Sequence, residues 1–83
     1  MSVEVATVQL LAYVNEELLA GTSFRADAET PLFEDGWIDS LKILKIIAYV
    51  ETITGREIPD ELIVMKNFRS VSTIVKTFAG GEA

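Results

Sequence analysis

The 83-residue chain contains no cysteine and no histidine. Without cysteine there is no disulfide framework and no zinc site built of thiolates. The lack of histidine removes the commonest general base and metal ligand, and with it any Ser-His-Asp arrangement. No apolar run approaches the roughly 20 residues of a membrane span. No basic stretch followed by an apolar block marks the N-terminus as a secretory signal. An excess of basic charge is missing too: the net charge is −6, opposite in sign to what a phosphate backbone attracts. Asp27, Glu29, Glu34, Asp35 and Asp39 do not have the spacing of a calcium loop. These absences predict a cytoplasmic chain with no metal site and neither nucleic acid nor membrane as partner.

What is present is one small domain's worth of apolar residues, 49% of the chain, enough for one compact core. Charge is unevenly spread. Residues 1–40 hold eight acids and one base, Arg25, whereas residues 41–76 hold six bases and four acids. Two different surfaces are one reading of this contrast; ordinary solvated helix faces are the other.

Ser2 caps a first helix over about residues 3–19, with Val3, Thr7, Leu10, Val14 and Leu18 on one stripe widened by Leu11. Glu16 and Glu17 fall on its wet face, and Gly21 stops it. Residues 22–38 form a connection of about 17 residues, long for a compact domain and therefore functional or self-packed. Phe24, Leu32, Phe33, Trp37 and Ile38 favour self-packing. A second helix spans about residues 40–54, with Leu41, Leu44, Ile47, Ala48 and Val50 toward the core and Lys42, Lys45 and Thr52 outside; Ile43 and Ile46 make it apolar over more than one stripe. Gly55 ends it. Pro59 opens a short third helix through Leu62–Met65, and Ser70 caps a fourth bearing Val71, Ile74, Val75 and Phe78 at i, i+3, i+4, i+7. The expected fold is all-α: a four-helix bundle over residues 1–79, with a short third helix, a long loop between helices 1 and 2, and a flexible tail at 80–83.

The loop and second helix meet at Asp39-Ser40-Leu41. Asp39 reads as N-cap, which puts the Ser40 hydroxyl in the first turn, where free N–H groups and the helix dipole favour a phosphate. Taken alone, Ser40 reads better as a helix-capping serine, a very common use. Asp39-Ser40-Leu41 behind a glycine-containing loop, followed after the helix by Glu57-Ile58-Pro59-Asp60 in a domain of this length, resembles the acyl carrier proteins and the related carrier domains of peptide and polyketide synthases.

That resemblance implies a carrier and not an enzyme: no catalytic residue, and a 4′-phosphopantetheine arm from coenzyme A on Ser40. A phosphopantetheinyl transferase installs the arm. An acyl- or aminoacyl-loading enzyme of the adenylating type charges its thiol as a thioester, and a downstream transferase or synthase takes the cargo. The chain is expected to be a monomer. Asp39, besides capping, is implied in recognition by the transferase and its metal, and Leu41 offers partners an edge. Lys42 and Lys45 depart from the family: fatty acid carriers present acids at these outer positions. Charge complementarity sets partner choice, so the lysines, unless merely solvated, point to a dedicated pathway rather than housekeeping fatty acid synthesis. Asp39 also stands where peptidyl carriers frequently have His. An unmodified carrier-like interaction subunit and a fatty acid synthesis carrier are the alternatives.

Overall fold

A computed structural model describes residues 2–34, 36 and 38–79, and among them every regular element is helical. Helix α1 spans Val3–Tyr13, α2 Ser40–Thr54 and α3 Val71–Phe78. The first helix continues past Tyr13 in one wider π-turn, Val14–Leu18, closed by the Leu19 N–H donating to the Val14 carbonyl at 2.9 Å. The helix expected over 3–19 is therefore present, with its last turn opened.

Local chemistry sets the ends of these helices. Ser2 Oγ accepts the Val5 N–H at 3.1 Å, and Ser70 Oγ accepts the Thr73 N–H at 3.2 Å. Each such cap is worth about 1 kcal/mol. Gly55 ends α2 at φ +72°, a left-handed conformation that glycine adopts without a Cβ penalty.

One core joins the three helices. Ala6, Leu10, Val14 and Leu18 meet Ile46, Ile47 and Val50 of α2 and Val71, Ile74 and Val75 of α3, with Phe68 fully buried among them. Tyr13 and Tyr49 stack between α1 and α2, ring centroids 4.3 Å apart. The long loop packs on this core as expected: Leu32 and Ile38 are buried, Phe24 and Phe33 half-buried. Backbone bonds pin it to the start of α3. The Ser72 N–H donates to the Ala28 carbonyl and the Leu32 N–H to the Arg69 carbonyl, both at 2.8 Å. Trp37, expected to anchor this loop, and the expected tail at 80–83 lie outside the described residues.

Three expectations are corrected. The short third helix is not an α-helix but a pair of 3-10 turns, Asp60–Leu62 and Met65–Phe68, so the described architecture has three α-helices rather than four. Pro59 is extended, with ψ 144°, and between the turns Val64 is extended as well, at φ −129° and ψ 154°. β-Branched Ile63 and Val64 suit that break better than a continuous helix. At the other end of the chain, Val3 is 39% exposed, and Ala6, one turn on, is the buried residue.

The third correction concerns α2. Leu41, Leu44 and Ala48 face solvent, the two leucines at 71% and 61% exposure. Ile46, Ile47 and Val50 are the buried residues, with Ile43 and Ile53 partly so. At about 100° per residue, 41, 44 and 48 lie on the opposite side from 43, 46, 47 and 50. The helix has two apolar faces and only one is covered. Leu44→Ser should therefore move the urea midpoint by less than about 0.5 kcal/mol equivalent, while Ile46→Val, a single buried methylene, should cost about 1 kcal/mol.

Candidate functional site at the start of helix α2

Asp39 occupies the N-cap of α2 in extended conformation, φ −108° and ψ −173°. Its Oδ1 accepts the Leu41 N–H at 3.1 Å and the Lys42 N–H at 3.0 Å. Its carbonyl accepts the Ile43 N–H at 3.0 Å, the first full helical bond. Ser40 is the next residue, the first of the helix, and it is exposed. Because Asp39 does the capping, Ser40 is not the capping serine. Among the described residues its hydroxyl makes no hydrogen bond, in contrast to the spent hydroxyls of Ser2 and Ser70.

The same cap modifies a second expectation. Two first-turn N–H groups are already taken by a carboxylate, whose charge also offsets the positive end of the helix dipole. The helix start is thus not a cradle for a free anion. It presents an oxygen for covalent attachment, and any phosphate there would be held by its bond to Ser40.

Ser40 stands at the edge of an apolar cleft of about 410 Å³. Phe33 from the loop and Ile43 from α2 form one side, and Ile63, Val64, Met65 and Phe68 form the other. A second groove, of about 190 Å³, shares Phe33 and Met65 and continues to Lys66, Arg69 and Glu34. Among the described residues the charge contact there joins Arg69 Nη2 to Glu34 Oε2 at 3.7 Å, with both side chains more than 60% exposed.

Of the other candidate residues, Leu41 is exposed beside Ser40, Lys45 is exposed one turn on, and Lys42 is half-buried. They share the surface of α2 next to Ser40 but do not line the cleft. Sequence reasoning missed Phe33, Ile63, Val64 and Met65 as cleft residues. The available signal was the Leu62–Met65 run, apolar yet too brief to show a period. Asn15 was missed as well. It is buried, donates through Nδ2 to the Ala26 carbonyl at 2.9 Å and accepts the Ala26 N–H on Oδ1 at 2.8 Å. This pair of bonds ties the π-turn to the loop that carries Phe33 and leads to Ser40. No helix is long and apolar enough to cross a membrane among the described residues.

No family model and no curated protein matches the chain. Solved structures do. KstB-PCP in its apo form is 30% identical, with a TM-score of 0.55 over 90% of this chain and 82% of that one. A glycylated carrier protein complexed with the Bradyrhizobium japonicum glycine:[carrier protein] ligase is represented by a match of 21% identity and TM-score 0.58, covering 87% of this chain and 86% of that one; at that identity the likeness concerns fold alone. A chain in the crystal structure of an FAD-dependent dehydrogenase is 32% identical, with a TM-score of 0.70 over 80% of this chain and 93% of that one. Those shares make it about 70 residues long, shorter than two βαβαβ halves of a dinucleotide-binding fold require. The likeness is to a small helical chain and not to a flavin-binding domain.

Proposed function

The chain belongs to the acyl and peptidyl carrier protein family, and we propose that it is a cytoplasmic carrier whose Ser40 is the attachment point of a 4′-phosphopantetheine arm. It is not itself an enzyme. The observation that carries the assignment is the division of labour at the start of α2. Asp39 satisfies the helix, and the neighbouring hydroxyl is left exposed and, among the described residues, unbonded at the edge of an open cleft.

The transferase removes the Ser40 hydroxyl proton as Oγ bonds to the phosphorus of coenzyme A that bears the pantetheine. The pyrophosphate bond breaks, and adenosine 3′,5′-bisphosphate leaves. The arm, once attached, supplies a thiol that holds an acyl or aminoacyl group as a thioester. The chain's own contribution is presentation: an accessible oxygen on a rigid helix end, with no cysteine of its own to divert the cargo.

The ligase complex among the structural neighbours supports an adenylating loading enzyme as partner. Lys42 and Lys45 favour a dedicated pathway, because they replace the acids that fatty acid carriers show to basic partners. Exchanging both for Glu should slow loading by the cognate enzyme at least severalfold with the fold intact; unchanged loading kinetics would reduce the pair to solvated surface.

The decisive experiment is intact mass spectrometry after incubation with coenzyme A and a broad-specificity phosphopantetheinyl transferase. A gain of one phosphopantetheine is expected. No gain would overturn the carrier reading.

A further inference from the structure

We infer that the acid this carrier is built to hold bears a second anionic group at its far end, received by Lys66 and Arg69; the inference rests on the carrier reading above. The apolar cleft beside Ser40 and the second groove are neighbours: Phe33 and Met65 line both, and Lys66, Arg69 and Glu34 line the second. In a chain of net charge −6, two cations against the one acid Glu34 make the groove beside the cleft locally basic.

Their state suits an incoming carboxylate. Lys66 is exposed and makes no ion pair among the described residues. Arg69 meets Glu34 only at 3.7 Å, in a pair open enough to water to be strongly screened. A guanidinium has five donors, so one loose carboxylate leaves room for a second. A neutral chain end lying in this groove would gain nothing from the two cations, whereas a carboxylate would find Lys66 and the donors of Arg69 that Glu34 leaves open. Tethering to Ser40 makes the contact intramolecular, at an effective concentration on the order of millimolar, so individually weak pairs suffice to populate it.

The test compares two cargoes that differ only at the far end. The transferase loads the chain from hexanoyl-coenzyme A or from the coenzyme A thioester of hexanedioic acid, and mass spectrometry verifies each product. Backbone amide spectra of the loaded proteins are then compared. The diacid should shift the amides around Lys66 and Arg69 and the hexanoyl group should not. That difference should vanish in Lys66→Gln/Arg69→Gln and in about 1 M salt, where the screening length falls to about 3 Å. The salt arm needs no substitution and stands even if the variant folds poorly. Loading without a difference between the cargoes, or a difference that survives both salt and substitution, would overturn the anionic-cargo inference alone. Failure to load at all would overturn the carrier reading and this inference with it.

Discussion

Ser40→Ala will show no mass gain under conditions in which the unsubstituted chain acquires one phosphopantetheine. The effect is all-or-none because the proposed bond has a single oxygen to form on. The chain has other serines, and two of them show why they will not substitute. Ser2 and Ser70 each spend their hydroxyl on a first-turn N–H, and Ser70 is also buried. A transferase reaching either would have to break a cap worth about 1 kcal/mol. Ser40 carries no such duty, since Asp39 already accepts from Leu41 and Lys42. For the same reason the substitution should leave stability within about 0.5 kcal/mol of the parent, an exposed position where Ala is the better helix former. Modification lost with the urea midpoint unmoved is the expected pair of results. A gain that persists in Ser40→Ala would place the attachment elsewhere; a large drop in stability would make Ser40 a structural residue.

Much of this arrangement was legible because it is local. A carboxylate before a long apolar helix, a glycine after it and a serine before Val71 each act within a turn, and the structure has all three where the chain order puts them. The i, i+3, i+4, i+7 stripe of α3 likewise needs no knowledge of the rest of the chain. Which side of α2 is buried depends on the rest. The Leu41–Leu44–Ala48 and Ile43–Ile46–Val50 rows have equal claims by periodicity, and the choice is made by where α1 and the loop lie. Lys45 and Thr52 sit beside the first row and were the available hint. The cleft is less legible still, since its walls come from the loop, α2 and the 3-10 turns, brought together only in the folded chain. The helix expected through Leu62–Met65 failed for a physical reason: its side chains, 36% to 63% exposed, border the cleft and the surface around it rather than the core.

Asn15 had a signal that went unused. It lies four residues after Leu11 and three before Leu18, inside the apolar stripe, where an amide must find partners or destabilise the fold. Its two bonds to Ala26 are the answer, and they lead to the second large effect. Asn15→Ala should lower stability by about 2–4 kcal/mol, since it removes two buried hydrogen bonds and strands both the N–H and the carbonyl of Ala26. For a chain of this length, with roughly 4–12 kcal/mol in total, that is a large share. Asn15→Leu separates the causes. It restores the volume but not the bonds, so a midpoint as low as that of Ala assigns the loss to the stranded backbone, whereas recovery to the parent value would show that the amide merely filled space.

Asn15→Asp adds a sign. The introduced carboxyl can imitate the amide only when protonated, with its O–H donating to the Ala26 carbonyl and its other oxygen accepting the Ala26 N–H. Ionised, it sets a negative oxygen against that carbonyl in a buried place, which outweighs the one N–H it still receives. Its folded pKa should therefore lie above the unfolded value near 3.9. Stability of this variant relative to the parent should be greatest below about pH 4 and fall as pH rises through the folded pKa. Urea midpoints for parent and variant across pH 3–8 would show it as a widening gap toward neutrality. A gap that is constant, or that closes as pH rises, would mean that Asn15 and Ala26 are not paired as the geometry has them, and the loop that leads to Ser40 would then be held by its apolar side chains and its bonds to α3 alone.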